Sequence, residues 1–111
     1  MIYVIDSATV PESVGAVIQK KSFELTKKVI EYWRKKWPET DPKLVRNLTG
    51  GPFRISWVWK VKSLADAEQF EKTFWQDSGI KAIMAEWNAA EKEVGSLLLM
   101  QPTRNYMADV E

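Results

Sequence analysis

The sequence predicts an α+β fold, in which one antiparallel sheet carries helices on one face and the element order is β-α-β-β-α(α)-β. Three observations predict it. Short apolar segments stand near the two ends of the chain, at residues 1–5 and 96–101. A hairpin signature surrounds Gly50-Gly51, and two regions of helical spacing flank the hairpin. At 111 residues the chain has the size of one domain, taken as 1–111 with a C-terminal tail at 102–111.

The composition excludes several classes of protein. Without cysteine there is no disulfide and no thiolate nucleophile, and without histidine there is no imidazole base, metal ligand or haem ligand. We therefore expect no cofactor and no metal site. The first residues do not resemble a signal peptide, and no apolar run approaches the ~20 residues of a membrane span. We expect a cytoplasmic protein that binds no membrane, and a net charge of +1 gives no sign of a nucleic-acid partner.

The first strand and the first helix differ in the period of their apolar residues. Residues 1–5 are apolar on both alternating faces, as in a central strand that is covered on two sides. Residues 17–37 follow a helical spacing that Pro38 stops, with a lysine-rich face expected to lie in solvent. The apolar stripe of this helix comprises Val14, Val17, Ile18, Leu25, Val29 and Tyr32, widened by Ile30, Trp33 and Trp37.

A hairpin is predicted at the middle of the chain. Residues 43–49 and 53–61 read as strands, and the glycines of Gly50-Gly51-Pro52 can take the positive φ of a tight connection. The second of these strands alternates with a period of two. One face has Phe53, Ile55, Trp57, Trp59 and Val61, and the other has Arg54, Ser56, Val58 and Lys60.

A second helical region follows. Ser63 is the expected N-cap, with Asp66 three residues later, and Asp77-Ser78-Gly79 divides the region in two before Gly95 ends it. The last strand is expected at 96–101, apolar on both faces, with Pro102 as its end.

This order with right-handed crossovers gives the ferredoxin-like arrangement, in which the first and third strands are central and helices cover one face. Strands one and four are predicted to be apolar on both faces, so the bare face would expose an apolar patch on the order of several hundred Å². A second copy of the chain would cover it. We therefore expect a homodimer through the sheet face, with Arg54, Ser56 and Lys60 at a polar margin.

The stretch Leu44-Val45-Arg46-Asn47-Leu48-Thr49-Gly50-Gly51-Pro52-Phe53, followed by Ser63-Leu64-Ala65-Asp66-Ala67-Glu68, resembles the middle of dimeric α/β-barrel proteins. It is most similar to the NIPSNAP-like and antibiotic-biosynthesis-monooxygenase-like families. The resemblance implies two sheets facing each other across a dimer barrel, with small organic molecules or haem bound between helices and sheet. The histidine of the haem-binding members has no counterpart here, which argues against haem degradation and against histidine-assisted isomerase or cyclase chemistry.

The tryptophans provide the first candidate site. Trp57 and Trp59 share a strand face that should meet Tyr32, Trp33 and Trp87 on the helical stripes. Aromatic stripes at this spacing usually form a core, and the alternative is an aromatic-lined pocket for a small apolar molecule.

The hairpin provides the second candidate. Arg46 and Arg54 could clamp a carboxylate or phenolate, and Asn47 could donate to a developing oxyanion. Cofactor-independent oxygenases of the resembled class use Asn, Trp and Arg near an aromatic substrate, which directs attention to Asn47 and Trp57. The alternative places these polar residues at a strand edge and dimer rim.

The function expected is that of a homodimeric small-molecule-binding barrel, with cofactor-independent monooxygenase activity as its possible chemistry. One alternative is an RNA-binding module that stacks bases on Phe53, Trp57 and Trp59. Another is a structural or regulatory module without a ligand, which would contain no apolar pocket large enough for one.

Overall fold

A computed structural model describes residues 1–10, 15–95 and 97–110 of the chain, with the backbone alone at residues 15–18 and 101. Four strands and three α-helices follow one another in the predicted order. A 3₁₀ turn, Pro38–Thr40, follows the first helix. The elements are β1 (Ile2–Thr9), α1 (Gly15–Lys36), β2 (Lys43–Arg46), β3 (Arg54–Val61), α2 (Leu64–Gln76), α3 (Ser78–Val94) and β4 (Met100–Ala108).

The predicted antiparallel ferredoxin-like sheet is confirmed. Its strand order is β2-β3-β1-β4, so the first and third strands are central, as the topology predicts. Val4 pairs with Trp59, and these two side chains are buried beneath the helices. Their neighbours Ile5 and Val58 form the next pair and point to the opposite face of the sheet.

The predicted connections also form. Gly50 and Gly51 have φ values of 89° and 105° in the turn between β2 and β3, a region that residues with a side chain seldom adopt. The Ser63 hydroxyl accepts a hydrogen bond from the backbone N–H of Asp66, which caps α2. Gly95 ends α3 in the left-handed conformation.

The last strand forms in the predicted order, but its predicted bounds and the predicted C-terminal tail are wrong. The strand is β4, so most of the expected tail at 102–111 belongs to the sheet, and the described part of 96–101 is largely a connection. Leu98 is fully buried against α1 and α3, and its N–H donates to the Glu91 carboxylate at 3.0 Å. A short apolar run has no period that separates a strand from a packed connection.

Pro102 lies within β4 and does not end it. β4 is an edge strand, and its pairing with β1 shifts register between Ser7 and Thr9. Proline lacks the N–H that a central strand requires, but an edge strand with a bulge tolerates it. Pro102 therefore does not mark the end of a strand, contrary to the prediction.

The first two strands also differ from their predicted bounds. β1 continues past the expected end at residue 5, because residues on neighbouring strands bind the polar side chains of Asp6 and Ser7. Arg104 pairs with the Asp6 carboxylate, and the hydroxyl oxygens of Ser7 and Ser56 are 2.7 Å apart. β2 stops before residue 47, because the Asn47 side chain bonds the turn backbone.

The core lies between the inner face of the sheet and the helices. Val4 and Trp59 from the sheet pack with Val29, Trp33 and Ile80 from the helices, all of them buried. A smaller cluster around Leu25, Ala90 and Leu98 joins α1, α3 and the segment before β4. Among the described helices, none has the length and apolar content that a membrane crossing requires.

A polar cluster ties α1 to the junction between α2 and α3. The Asp77 side chain caps α3 by accepting from the N–H of Ile80, and it also accepts hydrogen bonds from Tyr32 and Lys36. A Cβ at Gly79 would overlap the Tyr32 ring, so this close approach requires glycine. Hydrogen bonds from Lys36, and next from Tyr32, lower the pKa of Asp77 from 3.8 to about 2.

The Asp77→Asn variant tests this cluster. A carboxylate whose pKa is depressed on folding stabilises the fold above its unfolded pKa, and the contribution is lost as the pH falls through about 2. The amide oxygen of asparagine can still cap α3. We expect wild type to exceed the variant in free energy of unfolding at neutral pH, and the gap to narrow from about pH 4 toward pH 2. Urea titrations across this range measure it, and a gap independent of pH would contradict the assignment.

Candidate functional site

A cavity of about 620 Å³ lies between the inner face of the sheet and the helices. β1, β3 and β4 form its floor, and all three α-helices contribute to its walls. Leu97 and Leu99, from the segment before β4, complete the lining. The cavity therefore occupies the position where the resemblance places ligands, between helices and sheet.

Aromatic side chains form most of the walls. Trp33 and Phe70 stack with ring centroids 5.4 Å apart, and Phe70 lies 4.9 Å from the ring of Trp59. Trp57 and Trp87 are half-buried and also line the cavity. Trp33 and Trp59 are therefore core residues that also line the cavity.

The indole N–H groups of the two buried tryptophans have protein partners. Trp33 donates to the Thr40 hydroxyl at 2.8 Å, and Trp59 donates to the Asp6 carboxylate at 3.1 Å. These bonds fix the two rings. The faces of both rings therefore present an apolar surface to the cavity.

An ionic cluster lies at the floor, where β1, β4 and α2 meet. The Arg104 guanidinium donates to Asp6 from Nε at 2.5 Å and from a terminal nitrogen at 3.1 Å, and its other terminal nitrogen donates to Glu71 at 2.7 Å. Asp6 and Arg104 are directly paired across β1 and β4, which places their side chains on the same face.

Arg104 is therefore occupied by protein carboxylates. The hydrogen bond that Arg104 donates to Asp6 is the largest cause that raises the pKa of Arg104 above its ordinary value, with the hydrogen bond to Glu71 adding to it. The guanidinium also lies 5.9 Å from the ring centroid of Trp59. All of these groups line the cavity.

Four of the predicted site residues lie together at the cavity: Trp33, Trp57, Trp59 and Trp87. Tyr32 does not line it. Its hydroxyl donates to Asp77 at 2.5 Å at the junction of α2 and α3, so its role there is structural.

The hairpin residues Arg46, Asn47 and Arg54 also lie outside the cavity lining. Asn47 closes the turn, because its amide oxygen accepts from the N–H of Arg54 at 2.8 Å and its amide nitrogen donates to Pro52 at 3.1 Å. Arg46 and Arg54 are exposed. The predicted anion clamp and oxyanion donor are therefore not assembled at this cavity.

Four charged residues that line the cavity were not among the predicted site residues: Asp6, Glu71, Glu91 and Arg104. Arg104 lies in the segment that was predicted to be a C-terminal tail, and Asp6 lies just beyond the predicted end of the first strand. The sequence does contain an indication of this ion pair, because Asp6 and Arg104 each lie within a strand. With the correct bounds of β4, the pairing of β1 with β4 would have placed them opposite each other.

The outer face of the sheet lies opposite the described helices, and its apolar residues include Tyr3, Ile5, Val45, Val58, Met100 and Met107. Polar residues lie between and around them at Ser7, Thr9, Lys43, Arg54, Ser56, Lys60, Thr103 and Asn105. Trp57 and Trp59 face the helices, so among the described residues of this face Tyr3 is the only aromatic one, and the stacking platform of the RNA-binding alternative does not form there. The homodimer was predicted from a fourth strand that is apolar on both faces. β4 instead contributes both polar and apolar residues to this face, so the apolar patch is smaller than predicted.

No protein-family model matches the chain, and no curated protein matches it. Solved structures do. A dimeric protein of unknown function with a ferredoxin-like fold from Bacteroides fragilis is 13% identical, with a TM-score of 0.66, over 96% of this chain and 93% of that chain. A NIPSNAP family protein from Agrobacterium tumefaciens is 12% identical, with a TM-score of 0.66, over 100% and 95%. An antibiotic biosynthesis monooxygenase is 13% identical, with a TM-score of 0.56, over 100% of both chains.

These similarities confirm the resemblance at the level of the fold. The chain shares the ferredoxin-like architecture of NIPSNAP and antibiotic-biosynthesis-monooxygenase proteins. At identities of 12% to 13% the likeness does not extend to an activity. Among the described residues, no group of three His, Cys, Asp or Glu side chains is placed to hold a metal ion.

Proposed function

We propose that the chain is a homodimeric small-molecule-binding protein whose tryptophan-lined cavity takes an aromatic or otherwise apolar molecule. The observation that supports it most strongly is the cavity itself. Its volume of about 620 Å³ lies within the range of known ligand sites, roughly 300–1,000 Å³. Its lining combines a largely aromatic wall with a few polar groups, which is the usual composition of such sites.

The cavity also weighs against a module without a ligand. That alternative requires the tryptophans to pack into a closed core. Trp33 and Trp59 do so, with exposures of 5% and 2%, but Trp57 and Trp87 keep part of their surface free while lining the cavity. An aromatic ligand would cover that surface.

The homodimer is supported by the outer sheet face and by the dimeric protein that shares the fold. Ile5 and Val58, paired at the centre of the two middle strands, lie on the sheet face opposite the described helices. A two-fold pairing of this face would bury the apolar centre and leave the surrounding lysines and arginine at the rim.

As a second candidate we propose oxygenation of the bound molecule. Its support is the likeness to an antibiotic biosynthesis monooxygenase together with the apolar cavity. In such a reaction an electron-rich phenolic substrate gives up two hydrogens at a ring methylene. One oxygen atom of O₂ becomes a carbonyl oxygen there, and the other leaves as water with those two hydrogens.

The binding proposal predicts saturable binding of a neutral aromatic probe such as naphthalenemethanol. Trp57→Leu removes part of one wall and is expected to weaken binding about tenfold, as the loss of one aromatic contact implies. Trp37→Leu is the matched control, because it removes a tryptophan that packs on the core without lining the cavity.

Equilibrium dialysis measures the binding, and circular dichroism checks that both variants fold. Absence of saturable binding in wild type, or an equal loss in both variants, would contradict the ligand site. Oxygen uptake recorded with an anthrone-type phenol decides the second candidate, which fails if uptake does not depend on the protein.

A further inference from the structure

We propose that the molecule bound in this cavity carries a protonated amine or a quaternary ammonium group on its apolar frame. The proposal rests on the proposed function, because it names the class of ligand for the same cavity. It follows from the charges of the lining, the engagement of the one guanidinium, and the aromatic surface that remains.

The described lining carries a net negative charge. It holds three carboxylates, those of Asp6, Glu71 and Glu91, and one guanidinium, that of Arg104, for a formal charge of −2 at neutral pH. No undescribed side chain can change the sign, because residues 11–18, 96, 101 and 111 include no lysine, arginine or histidine. The only acids among them would add negative charge.

An acidic ligand meets a cation that is already paired with two carboxylates. Arg104 directs both terminal nitrogens and Nε to Asp6 and Glu71, at distances of 2.5 to 3.1 Å. A carboxylate or phenolate that used the remaining N–H of either terminal nitrogen would lie beside these carboxylates as a like charge. Arg46 and Arg54, which could otherwise attract an acid, are outside the cavity lining.

The aromatic walls suit a cation. Arg104 already lies 5.9 Å from the ring centroid of Trp59, so one tryptophan face at the floor contacts a positive charge. The half-buried rings of Trp57 and Trp87 line the same space as Glu71 and Glu91. Aromatic faces combined with nearby carboxylates are the chemistry that recognises organic ammonium groups.

Three probes of equal aromatic size test the proposal: naphthalenemethylamine, naphthalenemethanol and naphthoate, the cation, the neutral molecule and the anion. We expect the amine to bind about tenfold more tightly than the alcohol, and naphthoate more weakly than both. The advantage of the amine should shrink as salt is added, because partly exposed charges are screened.

Two variants assign the preference to the cavity. Glu71→Gln and Glu91→Gln each remove one charge while the amide oxygen can still accept from Arg104 or from the Leu98 N–H. Each should reduce the amine-to-alcohol ratio about threefold. Glu31→Gln makes the same change of charge at an exposed position of α1 outside the lining, and should leave the ratio unchanged.

The outcomes separate the two proposals. If the three probes bind equally, or naphthoate binds most tightly, the cavity binds ligands but the ammonium class is wrong. If none of the three binds, the ligand-binding function itself is wrong. If Glu31→Gln lowers the ratio as much as the cavity variants do, the preference comes from the overall charge and the assignment to this cavity is overturned.

Discussion

Ile5→Lys is expected to convert the proposed homodimer into a folded monomer. Ile5 lies at the centre of the outer sheet face, paired with Val58 on one side and Asn105 on the other. In a two-fold pairing of this face, two lysine side chains would be desolvated without carboxylate partners. Such burial costs several kcal/mol, so the dimer dissociation constant should rise by about 100-fold or more.

The monomer should still fold, because Ile5 belongs to neither buried cluster and lysine in a strand costs no more than about 1 kcal/mol. Sedimentation velocity at micromolar concentration measures the association, and circular dichroism verifies the sheet. Leu64→Lys is the matched control, since Leu64 is 55% exposed at the start of α2 on the other side of the molecule.

The result discriminates between interfaces. A dimer that survives Ile5→Lys but dissociates with Leu64→Lys would place the interface on the helical side. A wild-type chain that sediments as a monomer would remove the homodimer from the proposed function altogether.

The element order could be predicted because most of its signals are local. The Gly50-Gly51 turn, the period of two through Ile55, Trp57 and Trp59, and the Ser63 cap depend on residues close together in the chain. These features specify a hairpin and a helix start before any tertiary contact forms.

The bounds of the fourth strand could not be predicted in the same way, because they depend on tertiary contacts with residues distant in the sequence. Leu98 is buried by α1 and α3, and Glu91 satisfies its N–H, so an apolar run became a packed connection. β4 mixes polar and apolar residues, and Pro102 fits there because an edge strand can do without one N–H.

The same contrast explains the site. The tryptophans were found because bulky apolar residues at a regular spacing must meet in a core. The ionic cluster was missed because Asp6, Glu71 and Arg104 come from three separate elements, and only the pairing of β1 with β4 brings them together.

Arg104→Met tests how far that cluster supports the fold. Methionine retains an apolar stem beside Trp59 but removes the guanidinium contacts of two carboxylates. A fully buried pair broken at one partner costs 3–5 kcal/mol, whereas an exposed pair costs less than about 1 kcal/mol. Asp6 and Arg104 are 28% and 29% exposed, so we expect a loss of about 2 kcal/mol in the free energy of unfolding.

The double variant Asp6→Asn with Arg104→Met identifies the source of that loss. Most of the penalty should come from the carboxylate left without its partner, so neutralising Asp6 should restore about half of it, although asparagine alone would weaken the cluster. Denaturant unfolding followed by tryptophan fluorescence measures all three variants. If the two substitutions simply add, Asp6 and Arg104 are not coupled, and the loss on Arg104→Met comes from the other contacts of the guanidinium, with Glu71 and with the ring of Trp59.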